Sequence, residues 1–206
     1  MFRRSSVEQL VVATRNPGKV REFERLLLDI PFQLVSLDEA GVPPGMEVEE
    51  TGSTFQDNAC IKARAYAMAS GLLTLAEDSG LEVDALGGDP GVRSARYGGP
   101  GYDDAGRVQL LLNAMKDVPW EERAGRFRST IAISTPEGAV STVEGSVEGL
   151  IIFEPRGDGG FGYDPVFYVP SLEKTTSEMS MEEKNTISHR ARASQKALEL
   201  LRDWPR

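Results

Sequence analysis

Short apolar runs alternate with helical patterns through the first half of the chain. Each run stops at Gly, Pro or charged residues, as buried strands do, whereas the apolar residues between the runs recur every three or four positions. This pattern predicts strands at residues 10–14, 32–37 and 72–76 and helices at residues 17–27 and 54–71. Strands that alternate with helices are typical of the α/β class.

The second half of the chain shows a different pattern, in which polar and apolar side chains alternate. Residues 128–147 predict a β-hairpin around a turn at residues 136–138, and residues 149–153 predict a further strand. Ser188 has the short hydroxyl side chain that is preferred before the first turn of a helix. A final helix is therefore predicted from Ser188 to about Trp204.

Composition limits the number of domains and the class of partner. With 206 residues and 40% hydrophobic content, the chain can bury a sizeable core, so we expect one domain of two lobes at residues 10–206 and a frayed tail at residues 1–9. The net charge of −9 argues against nucleic acid and membranes as partners. The single cysteine, Cys60, cannot form an internal disulfide, which favours a cytoplasmic location.

The turn between the first strand and the first helix is a candidate phosphate site. It reads Thr14-Arg15-Asn16-Pro17-Gly18-Lys19. Backbone N–H groups at the start of a helix can hold a phosphate, and Lys19 would add positive charge. Because the GxxxxGK[ST] spacing of the common phosphate loop is absent, an ordinary strand-to-helix turn is the alternative interpretation.

Acidic residues predict a metal site. Glu49 and Glu50 precede a predicted helix, and Asp78 follows the strand predicted at residues 72–76, at the carboxyl end where ligands bind in α/β sheets. Carboxylates without thiolates favour Mg²⁺, with Mn²⁺ as an alternative. Asp78 could then accept a proton from a water that attacks phosphorus. A solvated acidic turn is the alternative for the glutamates.

The last third of the chain combines aromatic, acidic and basic side chains. Phe161-Gly162-Tyr163-Asp164 is followed by Lys184, His189 and Arg190. Aromatic rings can stack on a nucleobase, and basic groups can bind phosphate, for which Lys184 and Lys62 are candidates. Hydrogen-bond donors near His189 could bond the carbonyl oxygen of a purine base. A purine with an exocyclic amino group in place of that carbonyl would leave the amino group unpaired. A solvated surface role is the alternative for Lys62 and His189.

Seven motifs occur together in a fixed order along the chain. They are Thr14-Arg15-Asn16-Pro17-Gly18-Lys19, Glu49-Glu50-Thr51-Gly52, Asn58 with Lys62-Ala63-Arg64, Asp78-Ser79-Gly80-Leu81, Ser94-Ala95-Arg96-Tyr97, Gly160-Phe161-Gly162-Tyr163-Asp164-Pro165 and Ser188-His189-Arg190. The set resembles the inosine triphosphate pyrophosphatase family, also called the Ham1-like or RdgB-like non-standard purine nucleoside triphosphatases. The resemblance implies that family's α/β fold, with a long central mixed sheet flanked by helices and two lobes around a substrate cleft.

The resemblance also implies an activity. Members hydrolyse ITP, dITP and XTP to the nucleoside monophosphate and pyrophosphate with Mg²⁺, cleansing the nucleotide pool, and usually form homodimers. Two other classes stay open: a Maf-like pyrophosphatase for modified pyrimidine nucleotides, and a nucleotide sensor without catalysis. Turnover of a panel of bases would separate the two enzymes. The acidic residues argue against the sensor, because a carboxylate beside a triphosphate helps binding little unless a metal bridges them.

The resemblance assigns roles residue by residue. It implies that Asp78 accepts the proton and that Glu49, Glu50 and Asp78 bind the metal. The substrate-binding residues that it implies are Thr14, Arg15, Asn16, Pro17, Gly18, Lys19, Lys62, Ser79, Phe161, Gly162, Tyr163, Asp164, Lys184, His189 and Arg190.

Overall fold

The structure is a computed structural model that describes residues 7–204. Residues 1–6 of the predicted N-terminal tail lie outside the described residues, and the first strand begins at Gln9. The described part of the chain contains seven strands: β1 (Gln9–Val12), β2 (Gln33–Ser36), β3 (Leu73–Val83), β4 (Ala124–Ser134), β5 (Val140–Ile151), β6 (Phe167–Val169) and β7 (Lys174–Thr175). Its α-helices are α1 (Pro17–Leu26), α2 (Phe55–Ser70), α3 (Asp104–Ala114), α4 (Met181–Ile187) and α5 (His189–Arg202).

The seven described strands form one mixed sheet in the order β2-β1-β3-β4-β5-β6-β7. Strand β1 runs parallel to β2 and to β3, with Leu10 opposite Leu73 and Val12 opposite Leu75. Strand β6 is antiparallel to β5 and to β7. This arrangement confirms the predicted α/β class and the long mixed sheet.

Helix ends follow the signals in the sequence. Asn16 precedes α1, and its side-chain oxygen accepts the N–H groups of Gly18 and Lys19. Thr54 and Asp57 form a reciprocal capping box at the start of α2. Helix α2 ends at Gly71, which has a φ of 67° that favours glycine.

Strand β3 is longer than its apolar pattern predicts. The prediction that the strand stops at Ala76 is wrong, because β3 continues to Val83 and carries Glu77 and Asp78 in its middle. These carboxylates do not end the strand because a lysine contacts each of them, and the amide of Asn58 also contacts Asp78. The predicted strand at residues 149–153 is also no separate element, since β5 continues to Ile151.

The chain divides into two compact units. The first contains residues 7–78, 130–144 and 193–204 among those that the structure describes. Its apolar side chains form two clusters, and alternation along β1 sends Leu10 into one and Val11 into the other. Phe23 of α1 packs in the cluster of Leu10, and Ala59 of α2 packs in the cluster of Val11.

The second unit contains residues 79–129 and 145–192. A single large cluster forms its core, in which Leu111 of α3 and Phe167 of β6 pack with Leu81 of β3. Strands β3, β4 and β5 and helix α5 contribute residues to both units. None of the described helices is long and apolar enough to cross a lipid bilayer.

Ser194 in α5 offers a direct test of the core. The residue is fully buried, and its hydroxyl oxygen has no hydrogen-bond partner among the described residues. Because a buried hydroxyl without a partner costs free energy, we expect Ser194→Ala to raise the free energy of unfolding by about 1 kcal/mol. Thermal unfolding measures this change as a rise in Tm of roughly 2–4 °C.

Ser188→Ala is the matched control in the same region. The Ser188 hydroxyl accepts the N–H of Ala191 at 3.1 Å and so caps α5. Its loss should lower the free energy of unfolding by about 1 kcal/mol. A lower Tm for Ser194→Ala would mean that the Ser194 hydroxyl has a favourable contact in solution.

Candidate active site

A polar cluster forms where β3 meets α2 in the first unit. Asp78, which is only 6% exposed, accepts a hydrogen bond from Asn58 Nδ2 at 3.2 Å and another from Lys62 Nζ at 3.1 Å. Lys62 Nζ also donates to Glu50 Oε1 at 2.7 Å. One ammonium group therefore bridges two carboxylates.

The same strand carries a second ion pair. Glu77 is buried beside Asp78 in the chain, and its Oε2 lies 3.0 Å from Lys19 Nζ of α1. Lys19 also lowers the pKa of Asp78, although more weakly than Lys62 does. Two lysines from two helices thus counter the charge of this part of β3.

Burial and charge set the protonation of the bridge. Burial raises the pKa of Asp78 above its ordinary value, even though Lys62 acts in the opposite direction. Burial would lower the pKa of Lys62, but the carboxylates of Asp78 and Glu50 outweigh it, so that pKa is raised. Lys62 consequently stays a cation at neutral pH, while Asp78 takes up a proton more readily than an exposed aspartate.

The loop before α2 brings Glu50 to this cluster. Gly52 N–H donates to Asn58 Oδ1 at 2.8 Å, which ties the loop to the helix. A Cβ atom at Gly52 would collide with Asp57, so the close approach requires glycine. Glu49 is exposed, and within residues 7–204 the polar contacts of this cluster do not include it.

The predicted phosphate turn is held by its own side chains. Asn16 Oδ1 occupies the N–H groups of Gly18 and Lys19, and Asn16 N–H donates to Thr14 Oγ1 at 3.2 Å. Pro17 is the first residue of α1 and has no N–H to offer. A phosphate at the backbone of this turn would have to displace Asn16 Oδ1.

Arg15 contacts a neighbouring loop. Its guanidinium donates to Met46 O at 2.9 Å and to Pro43 O at 3.1 Å. These bonds fix the Gly- and Pro-rich segment that leads to Glu50. The structure thus gives Arg15 a role in holding this loop.

The aromatic turn at residues 160–164 lies in the second unit and is organised by Asp164. This residue is 3% exposed, and its Oδ2 accepts Phe161 N–H at 2.9 Å and Lys184 Nζ at 2.7 Å. Its Oδ1 accepts the hydroxyl of Thr176 at 2.9 Å. A Cβ atom at Gly160 would collide with Asp164 Oδ2, which explains the glycine there.

Two cations face the ring of Phe161. Lys184 Nζ lies 5.0 Å from the ring centroid, and Arg190 Cζ lies 5.7 Å from it. Arg190 also donates to Ser79 Oγ at 3.2 Å. Phe161, Lys184, Arg190 and Ser79, all predicted as site residues, are thus joined by contacts within the second unit.

His189 and Tyr163 have mainly internal partners. The His189 ring stacks on Phe127, with centroids 4.9 Å apart and planes inclined by 18°. Tyr163 is buried, which raises the pKa of its hydroxyl, and that hydroxyl donates to Ser94 O at 3.0 Å. Tyr163 therefore anchors the turn to the segment that contains Ser94.

The predicted site residues fall into two groups, one in each unit. Lys19, Glu50, Lys62 and Asp78 belong to the first group. Sequence reasoning did not predict roles for Asn58, Phe127 and Thr176, although each contacts a predicted residue. Only Asn58 carried a local signal, because it lies one helical turn before Lys62 on α2.

The described residues contain no group of three or more His, Cys, Asp or Glu side chains placed to hold a metal ion. Glu50 and Asp78 nevertheless converge on Lys62, and carboxylate oxygens are hard ligands. This arrangement can bind a divalent cation only if other ligands complete its coordination.

Comparisons with known proteins identify relatives that cover almost the whole chain. A dITP/XTP pyrophosphatase of Desulforamulus reducens is 52% identical over 193 residues, covering 94% of this chain and 95% of that protein. The Bacillus subtilis protein of the same name is 47% identical, covering 95% of this chain and 98% of its own. The structure of a HAM1 protein from Coxiella burnetii matches with a TM-score of 0.87 and 42% identity, covering 96% of this chain and all of that one.

A model of the Ham1 family matches residues 10–200, a range that includes both groups of site residues. The match confirms the resemblance that the seven motifs carried. This chain belongs to the Ham1 family.

Proposed function

We propose that this protein is a nucleoside triphosphate pyrophosphatase that hydrolyses ITP, dITP and XTP to the nucleoside monophosphate and pyrophosphate. The observation that carries the proposal is the buried Asp78 carboxylate held between Lys62 and Asn58. It offers a proton acceptor beside fixed positive charge, as phosphoanhydride hydrolysis requires. Relatives near 50% identity over almost the whole chain, which carry the name dITP/XTP pyrophosphatase, support the substrate class.

The carboxylates suit Mg²⁺, with Mn²⁺ as an alternative. Magnesium is commonly held by one or two protein carboxylates together with waters and substrate phosphates, so a site with three protein ligands is not needed. Glu50 and Asp78 would supply the carboxylates, and Glu49, which is exposed, would act through water. When bound, the cation would neutralise charge on the phosphate oxygens.

The residues of the first unit would carry the chemistry. A water attacks the α-phosphorus and Asp78 accepts a proton of that water. The new bond from the α-phosphorus to the water oxygen gives the monophosphate, and pyrophosphate leaves with the bridging oxygen. Lys62 and Lys19 would stabilise the charge that spreads over the phosphoryl oxygens. The turn at residues 14–19 would contact the triphosphate, with Asn16 Oδ1 releasing the N–H groups that it now occupies.

The residues of the second unit would recognise the base. Phe161 would stack on the purine, and Lys184 and Arg190 beside its ring would contact polar atoms of the nucleotide. His189 would donate to the purine carbonyl oxygen that distinguishes inosine from adenosine. Adenine has an amino group at that position, which donates rather than accepts, so ATP would be rejected.

Turnover of several nucleotides tests the proposed function. ITP, dITP, XTP, ATP, GTP and a modified pyrimidine triphosphate are compared with Mg²⁺, and pyrophosphate and orthophosphate are assayed separately. Pyrophosphate from ITP and XTP, with little from ATP, is the expected result. Turnover of the pyrimidine alone would favour the Maf-like alternative, and binding of ITP without hydrolysis would favour the sensor.

His189→Ala should narrow the discrimination between ITP and ATP. Loss of one hydrogen bond to the base is worth about 1 kcal/mol, so kcat/KM for ITP should fall roughly five- to tenfold while that for ATP changes little. Steady-state kinetics with both nucleotides measure the ratio. An unchanged ratio would place base recognition on other residues.

We further propose that the enzyme is a homodimer, as the resemblance to the family implies, and that it is cytoplasmic, as its single cysteine favours. Light scattering would then give twice the chain mass of 22.5 kDa. A mass of one chain at micromolar concentration would contradict the dimer.

A further inference from the structure

Asp104 makes a contact that its position in α3 does not require. It is the first residue of the helix and follows Asp103, whose Oδ1 accepts Gly106 N–H at 2.8 Å and so caps the helix. Asp104 Oδ2 instead accepts Gly162 N–H at 2.8 Å, across 58 positions of sequence. The two neighbouring aspartates therefore have different functions: Asp103 caps its own helix, and Asp104 holds a distant turn.

The partner of Asp104 is the peptide group that follows Phe161. The N–H on one side of Phe161 is held by Asp164 Oδ2, and the N–H on the other side is held by Asp104 Oδ2. Gly162 itself has a φ of 61°, so the turn adopts a left-handed conformation at this point. Two carboxylates thus fix the backbone on both sides of the ring that faces Lys184 and Arg190.

The two carboxylates differ in their surroundings. Asp164 is buried and has Lys184 and Thr176 as further partners. The Asp104 side chain is 58% exposed, and its other oxygen accepts a bond from Arg107 at 3.2 Å. Asp104 can be replaced without opening the core, so its effect on the turn can be measured separately from folding.

We propose that Asp104 is a positioning residue that holds Phe161 in the orientation needed to stack on the purine base. The proposal rests on the proposed function, because it assigns Phe161 to base binding. Stacking does not read the substituents of the ring, since every purine has a π-face. Loss of the Asp104 bond should therefore weaken the binding of ITP and of ATP by the same factor. Loss of the His189 side chain should instead weaken mainly the binding of ITP.

Three variants test the proposal. Asp104→Ala removes the acceptor, Asp104→Asn keeps one oxygen for Gly162 N–H, and Asp103→Asn removes the same charge from the same helix end while its amide oxygen keeps the bond to Gly106 N–H. For Asp104→Ala we expect KM for ITP to rise about three- to tenfold with kcat within twofold, because a hydrogen bond to a charged, partly exposed group contributes modestly. Asp104→Asn should restore most of the loss, and Asp103→Asn should leave KM unchanged.

Amide hydrogen exchange of the free protein gives a readout that needs no substrate. The peptide covering residues 158–164 should exchange at least several-fold faster in Asp104→Ala than in Asp103→Asn. Equal exchange in these two variants would overturn the positioning role, whatever the enzyme hydrolyses. Faster exchange with an unchanged KM for ITP would overturn the link to the base, and a wild-type enzyme inactive on all purine nucleotides would refute the proposed function instead.

Discussion

Replacing Asp78 with asparagine should lower kcat for ITP by about 10²- to 10⁴-fold, which is the usual contribution of a general base. The amide cannot accept a proton from the attacking water, and it is a weaker ligand for a divalent cation than a carboxylate. Asparagine has the same shape as aspartate, so KM should change less than kcat. Pyrophosphate release at saturating ITP and Mg²⁺ measures the loss.

The fold should survive this substitution. Because burial raises the pKa of Asp78, the ionised carboxylate is held less readily in the folded protein than in the unfolded chain, and a neutral amide avoids this cost. The oxygen of the amide can still accept the bond from Asn58, and Lys62 keeps Glu50 as a partner. We therefore expect no fall in Tm larger than a few degrees.

Asp57→Asn serves as the control for Asp78→Asn. Asp57 lies in the first turn of α2, where its carboxylate accepts Thr54 N–H at 3.2 Å, and the amide oxygen can keep that bond. This variant should retain turnover within about twofold, since surface changes of this kind are usually mild. Near-normal turnover in Asp78→Asn would show that another group accepts the proton.

The sequence predicted the first three strands because their signals are local. Alternation places Leu10 and Val11 on opposite faces of β1, and the capping residues of α2 lie within four positions of each other. Strands β6 and β7 could not be predicted in this way, because three and two residues are too few to show a period. They are defined by their pairing with each other and with β5.

The length of β3 depended on distant residues. Glu77 and Asp78 break the apolar run, so the pattern alone predicts that the strand ends before them. Their partners, Lys19 and Lys62, come from two helices, and nothing near Asp78 in the sequence identifies them. The motifs indicated which residues form the site, but the contacts between them depend on the folded chain.

The sequence did not predict the ion pair between Asp164 and Lys184 either. Both residues were predicted to contact substrate, from motifs 20 positions apart. In the structure Asp164 and Lys184 form an ion pair with each other, and Asp164 also accepts a hydrogen bond from Phe161 N–H. The chemistry of the residues was readable from their types, whereas their use as a structural ion pair was not.

Lys184→Met should destabilise the protein by about 3 kcal/mol, because it leaves the buried Asp164 carboxylate without its cation. The hydrogen bonds that Asp164 accepts from Phe161 N–H and from Thr176 would remain. We therefore expect a loss of unfolding free energy at the lower end of the range for a broken buried ion pair. A chain of this size should then lose roughly 6–12 °C in Tm. Thermal and urea unfolding measure the two quantities.

Lys174→Met is the matched control. Lys174 Nζ lies 2.6 Å from Glu183 Oε1, which is close to the distance between Lys184 Nζ and Asp164 Oδ2. The side chains of Lys174 and Glu183 are, however, both partly exposed. Water solvates the remaining carboxylate there, so the loss should not exceed about 1 kcal/mol. Equal losses in the two lysine variants would mean that the Lys184 pair is solvated in solution.

The double variant Lys184→Met, Asp164→Asn separates two contributions to stability. One is the attraction between Lys184 and Asp164, and the other is the cost of a buried Asp164 carboxylate without a cation. If most of the loss in Lys184→Met comes from stranding a buried carboxylate, removing that charge as well should recover a large part of it, and the two substitutions will not be additive. Additive losses would mean that Asp164 stabilises the turn mainly through Phe161 and Thr176. In that case the asparagine variant alone should also raise KM for ITP, since the ring of Phe161 would lose its backbone support.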